Sequence, residues 1–113
     1  AALGRCFREG GAERLAPLLR SDCVCTFLEN RQEGTEDALA LLSMVQQDMA
    51  AAGLRRCVPG VLTSEGVRGR KCLLLGNEEG FAFLCLLELD SLGRVREVRI
   101  TNEPEWEFEV LSR

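Results

Sequence analysis

Between residues 70 and 102 the apolar positions stop recurring every three or four residues and begin to alternate. The pattern predicts three antiparallel strands, 70–76, 81–90 and 94–102. The turns between them, Asn77-Glu78-Glu79-Gly80 and Asp90-Ser91-Leu92-Gly93, are polar and end in glycine, as four-residue hairpin loops do. Alternation along the middle strand puts Phe81, Phe83, Cys85, Leu87 and Leu89 on one face. The other face carries Ala82, Leu84 and Leu86 before it turns polar at Glu88 and Asp90. A sheet with one face in water is polar on that side, so this strand predicts cover on both.

Helical spacing governs the earlier part of the chain. Residues 1–9 read as the end of an amphipathic helix with Leu3, Cys6 and Phe7 on one face, broken by Gly10-Gly11. Residues 12–19 read as a second, short helix that Pro17 bends or shortens. A short strand is expected at 23–28, then a polar loop at 29–33. Thr35 is the expected N-cap of the longest helix, with Glu36 and Asp37 in its first turn, where the helix dipole favours negative charge. That helix runs to Ala52 on a stripe of Ala38, Leu41, Leu42, Val45, Met49 and Ala52, and Gly53 ends it. Residues 54–63 form a strand in which Pro59-Gly60 implies a bulge or an edge position. At 105–110 Trp106, Phe108 and Val110 alternate with three glutamates, the pattern of a half-buried edge strand.

Composition narrows the function classes. A chain of 113 residues is sized for one domain, 1–113. Its net charge of −4, with arginines interleaved among glutamates, gives no basic footprint for nucleic acid or an anionic membrane. No apolar run reaches the length of a membrane span, and no signal-peptide pattern opens the chain, which begins inside a helical pattern. The six cysteines fall mostly in apolar runs without a Cys-x-x-Cys pair, and there is no histidine. They read as small buried hydrophobes with reduced thiols in a cytoplasmic protein, holding no metal or cofactor.

The order of elements resembles the nuclear transport factor 2-like (SnoaL-like) superfamily. Three stretches carry the likeness: Glu9-Gly10-Gly11-Ala12-Glu13-Arg14-Leu15 running on to Leu18-Leu19-Arg20-Ser21-Asp22, then Gly34-Thr35-Glu36-Asp37-Ala38-Leu39, then Leu87 to Val95. The resemblance implies an α+β fold in which a curved antiparallel sheet wraps the N-terminal helices as a cone. It also implies isomerase, dehydratase, hydrolase or non-catalytic binding relatives. Catalytic members place an Asp at the end of the first strand, often with Tyr, His or a second Asp. This chain has neither Tyr nor His, and its first strand ends Thr26-Phe27-Leu28-Glu29-Asn30, so Glu29 is the nearest carboxylate.

The expected site is therefore an apolar cavity between the long helix and the sheet. Phe7, Phe27, Val45, Met49, Phe83 and Trp106 are its candidate walls, and Glu29, Arg96 and Asn102 its candidate polar contacts. Alternation sets Arg96, Val98, Ile100 and Asn102 on one face, and a Glu29 beside Phe27 and Leu28 is a candidate general base. Three functions follow: a non-catalytic module binding an apolar small molecule, an enzyme using Glu29 with Arg96 or Asn102, and a ligand-free interaction subunit. If helices cover one side of the sheet only, Leu84 and Leu86 lie in an open aliphatic patch, which predicts a homodimer paired through the outer sheet faces.

Overall fold

The long amphipathic stripe forms helix α1, Thr35–Ala51, and its apolar residues supply the cover for one face of the sheet. The computed structural model describes residues 10–102 and 106–111. The expected first helix, with Leu3, Cys6 and Phe7, and Glu105 at the head of the last strand lie outside the described residues. Gly34 rather than Thr35 is the N-cap; the Thr35 hydroxyl instead donates to the Arg20 carbonyl at 3.0 Å, tying the start of the helix to the first strand. At the other end Gly53 takes φ 80° and lets the Leu54 N–H donate back to the Met49 carbonyl at 2.8 Å, closing the last turn. The segment before the sheet, Ala12–Leu18, is a 3-10 helix containing Pro17, the shortened form that proline imposes.

Seven strands follow in one curved sheet: β1 Leu19–Phe27, β2 Asn30–Glu33, β3 Arg56–Leu62, β4 Lys71–Asn77, β5 Gly80–Leu89, β6 Val95–Thr101 and β7 Phe108–Val110. Their order is β2-β1-β6-β5-β4-β3-β7, with β1 parallel to β6 and every other pairing antiparallel. The sequence showed β4, β5 and β6 to within a residue or so at each end but took 29–33 as a loop. Those residues are the hairpin partner of β1. Asn30-Arg31-Gln32-Glu33 is a polar edge strand with nothing to bury, so it has no apolar alternation to betray it. Its two-residue loop, Leu28-Glu29, also lacks the glycine or asparagine that marks such turns. Leu28 sits at φ 55°, a region that a γ-branched residue enters at a cost. β3 is not an edge strand, since β4 and β7 flank it, and its ladder with β4 runs without a shift through Pro59. The Pro59 carbonyl accepts from the Leu111 N–H, so the missing proline N–H falls on that same side, just past the short β7 ladder.

Two bulges change which side chains share a face. Gly76 pairs with Phe81 and Leu75 with Phe83, leaving Ala82 as the extra residue. Phe81 therefore leaves the face of Phe83, Cys85 and Leu87 and joins Leu84 and Leu86 on the other. The crossing is so tight that a Cβ on Gly76 would lie 2.1 Å from the Gly80 carbonyl oxygen, a backbone atom with nowhere to move. The second bulge sits between β5 and β6. Glu88 pairs with Glu97 and Leu89 with Val95, so Arg96 is the extra residue and is turned off the face of Val98 and Ile100.

Two cores result. On the helix side Leu42, Val45 and Met49 of α1 meet Cys25, Leu75, Cys85 and Ile100 of the sheet. On the opposite side Leu62, Cys72, Leu74, Leu84 and Leu86 form a second cluster, joined by Val58, Val67, Phe81 and Trp106. The two-sided burial expected from β5 is thus real, but the predicted open patch is not. Leu84 and Leu86 are 5% and 1% exposed in the single chain, because the chain's own segments close over them. Leu73 and Leu75, which pair with Cys85 and Phe83, stand on the helix side, and Cys72 and Leu74 on the other.

Two variants test this description. Leu86→Arg places a charge in a filled core, so it should cost roughly 3 kcal/mol or more in denaturant titration. Soluble, fully folded monomers of that variant would show instead that Leu86 is a surface residue. Leu28→Asn removes a strained left-handed leucine from an exposed turn and should stabilise by about 1 kcal/mol; a loss of stability would contradict the turn geometry.

Candidate functional site

The Ala82 bulge does more than exchange faces. By turning Phe81 away from Phe83, it spreads two rings apart at the start of β5, and Trp106 and Phe108 arrive beside them from the β7 segment. The result is a cleft of about 280 Å³ lined by Phe81, Ala82, Phe83, Leu84, Thr101, Asn102, Trp106 and Phe108. Four of the six aromatic residues of the chain line it. Phe81 and Phe108 meet edge to face, with centroids 5.9 Å apart and planes at 80°, a geometry that suits the ring quadrupoles. The Arg56 guanidinium lies 4.9 Å from the centroid of Phe81. Arg56, Gly76 and Phe81 form one row across three strands, and the bare Gly76 between them leaves the arginine free to cross. Phe83 also stacks at 5.6 Å on Phe27, which links the cleft to the helix-side core.

The sequence-predicted residues divide. Phe83, Asn102 and Trp106 come together in this cleft, and Phe27 stands directly behind it. Val45 and Met49 are 0% and 4% exposed and pack into the helix-side core as ordinary filling. Phe7 lies outside the described residues. Glu29 sits exposed at the tip of the β1–β2 turn and is not among the residues lining the cleft, so the apolar surroundings that a general base required are missing. Arg96, expected on the face of Asn102, instead pairs with Glu88 at 2.8 Å, and Arg70 reaches the same carboxylate at 3.7 Å. The physical reason is the second bulge. The sequence reading missed Phe81 and Phe108, since strict alternation gives no sign of a bulge; the Gly76 opposite was the one available hint.

Chemically, the lining offers aromatic and aliphatic surface, one hydroxyl and one amide. Thr101 is buried, whereas Asn102 is exposed and has its amide at the rim. Among the described residues no ionisable side chain lines the cleft. A polar group of four charged residues lies elsewhere, at the β5–β6 turn. There Asp90 accepts the Leu92 and Arg94 N–H groups at 2.9 Å each, and Arg20 binds both oxygens of Asp22 at 2.8 and 2.9 Å. The backbone bond from Arg94 lowers the pKa of Asp90, and the Arg20 bond lowers that of Asp22; the Asp90 bonds hold the turn in shape, while the Arg20–Asp22 pair lies along β1.

Cys23, Cys25, Cys57, Cys72 and Cys85 are buried and none is in a disulfide. Burial raises the pKa of Cys25 to about 12 and carries that of Cys85 well above its ordinary value. Among the described residues no three potential ligands converge on a metal position. A folded thiol with a raised pKa favours the native state while thiols stay protonated in both states. That contribution is complete below the ordinary value of 9.0 and drains away as pH rises above it. Native protein should accordingly label slowly with a thiol reagent at pH 8, label rapidly after denaturation, and lose stability above pH 9. Rapid labelling of Cys25 or Cys85 in the native state would contradict their burial.

Comparison with known proteins places this geometry. No protein-family profile matches the sequence, and no curated protein matches it. Solved structures do match in shape. A SnoaL-like family protein of Agrobacterium tumefaciens, named as an isomerase, superposes with a TM-score of 0.59 at 18% identity, over 88% of this chain and 89% of its own. A SnoaL-like protein of Jannaschia sp. CCS1, named as a polyketide cyclase, gives 0.52 at 19% identity, over 88% and 77%. A de novo designed protein with a curved β-sheet gives 0.57 at 17% identity, over 92% and 81%. A designed chain with this shape shows that the shape alone specifies no chemistry. Likeness at such identities carries the fold: the chain has the nuclear transport factor 2-like (SnoaL-like) fold.

Proposed function

We propose that this chain is a non-catalytic module that binds an apolar, ring-containing small molecule in the cleft between Phe81, Phe83, Trp106 and Phe108. The observation that carries the reading is the gathering of these four rings around about 280 Å³, with no ionisable group among the described residues of the walls. That volume lies at the lower end of small-molecule sites, and apolar walls with one or two directional polar groups are their usual make-up. Asn102 supplies the directional contact, and the Arg56 stack holds Phe81 in place as a wall. Two structural neighbours carry the names isomerase and polyketide cyclase, which agrees with a small-molecule ligand class. Buried cysteines outside any disulfide accord with a cytoplasmic setting, and among the described residues no helix is long and apolar enough to cross a membrane.

The catalytic alternative has less support. It needs Glu29 with Arg96 or Asn102 in one place, and only Asn102 lines the cleft. Pairing of two copies through the outer sheet face loses its original argument, since Leu84 and Leu86 are spent within the chain.

Trp106 is the only tryptophan, and it lines the cleft, so its emission reports occupancy directly. Titration with hydrophobic acids, sterol-like and polyketide-like compounds should give a saturable change in Trp106 fluorescence together with a rise in melting temperature. Phe83→Ala should weaken the responding compound by about tenfold or more, which is some 1.4 kcal/mol, while Val45→Ala lowers stability with little effect on affinity. If no compound moves either signal, or if Phe83→Ala binds as tightly as the natural chain, the proposal fails.

A further inference from the structure

A second hollow lies at the opposite end of β5, on the helix side of the sheet. Register places Pro59, Leu73 and Cys85 in one row across β3, β4 and β5, and alternation sets Lys71, Leu87 and Leu89 on the same face. Together they border a groove of about 290 Å³. α1 packs chiefly against β1 and the 3-10 helix, so it covers the β1 side of this face and leaves the β3–β5 side to the groove. Phe83 of the cleft and Cys85 of the groove lie two residues apart on one face, but no residue lines both. The two hollows are therefore separate.

The lining of this groove is unlike that of the cleft. Among the described residues it holds no aromatic ring and no carboxylate; its walls are Pro59, three leucines and the thiols of Cys72 and Cys85, and its one charged group is Lys71, the only lysine of the chain. Cys85 closes the floor at 1% exposure, Leu73 and Leu87 are half-buried, and Leu89 at the rim is 55% exposed. A leucine that open beside other leucines is an unsatisfied apolar surface. Among the described residues Lys71 has no ion-pair partner, although Glu88, next to Leu87 in sequence, is held on the other face by Arg70 and Arg96. An apolar trough with one unpaired ammonium at its edge matches a molecule with an aliphatic tail and one anionic head.

We propose that this groove is a second binding site, and that it takes an aliphatic monocarboxylate of short to medium chain length. The tail lies along Leu73, Leu87 and Leu89 toward Cys85, and the carboxylate meets the Lys71 ammonium. A neutral alcohol of the same length buries the same tail but leaves Lys71 without its counter-charge. An amine places two cations together. The ranking carboxylate over alcohol over amine is therefore the signature of the site.

Decanoate is a suitable probe, with decanol and decylamine for comparison, measured by calorimetry on the full chain. Decanoate should bind saturably and about tenfold more tightly than decanol, a difference near 1.4 kcal/mol. It should slow acetylation of Lys71, read by mass spectrometry, and leave Trp106 emission unchanged. Lys71→Met should erase the preference for decanoate over decanol. Leu89→Asp should weaken both. Both positions are exposed, so the variants keep the fold, and circular dichroism verifies this. Equal binding of decanoate by the natural chain and Lys71→Met overturns the proposal. So does a failure of decanoate to bind at all, which leaves the groove to a protein surface. Binding that shifts Trp106 emission and is lost in Phe83→Ala also overturns it, by assigning the probe to the aromatic cleft.

Discussion

The fold depends on the need to bury both faces of β4 and β5 with little chain to do it. Leu73, Leu75 and Cys85 on one side and Leu74, Leu84 and Leu86 on the other are all apolar, and each large side chain fully removed from water contributes roughly 1.5–3 kcal/mol. A single long helix covers one face only. The sheet meets the second demand by curving and by bringing Val67 and Trp106 over Leu62, Leu74, Leu84 and Leu86. Bulges are the device by which strands bend and twist beyond the regular sheet, and here they stand at both ends of β5. Curvature, second core and aromatic cleft thus have a common origin.

That origin explains what the sequence could and could not reveal. β4, β5, β6 and α1 were legible because their burial is periodic, and periodicity is visible residue by residue. The curved α+β architecture followed from the order of elements together with the resemblance. β2 was not legible because a polar edge strand buries nothing, and a Leu28-Glu29 loop carries no turn signal. Phe81 and Arg96 were assigned to the wrong faces for one reason: a single extra residue in a strand reverses everything before it. Val45 and Met49 were read as cavity walls from spacing alone, and spacing does not distinguish a wall from filling. Phe83, Asn102 and Trp106 do meet in one cleft, but at the bulged start of β5, with Phe81 and Trp106 on the face away from α1 rather than between helix and sheet as expected.

The chemistry follows from the same bulges. One releases Phe81 from Phe83 and opens a ring-lined cleft; the other turns Arg96 onto Glu88 and takes it out of consideration as a site residue. Glu29 remains at a turn tip. What is left around the cleft is surface suited to holding a flat apolar molecule, with Asn102 to orient it. Lys71 and the leucines of the groove present different chemistry toward the other end of the same strand, so one sheet carries two hollows of different lining.

The most direct test of the central claim is a set of proton NMR contacts between a bound ring compound and the side chains of the labelled protein. The account predicts intermolecular contacts from the probe to Phe81, Phe83, Trp106 and Phe108 together, with the Asn102 amide shifting in the same titration. A probe that touches none of these rings, while the rings show contacts only with one another, would mean that the cleft is closed and that binding there is not what this chain does.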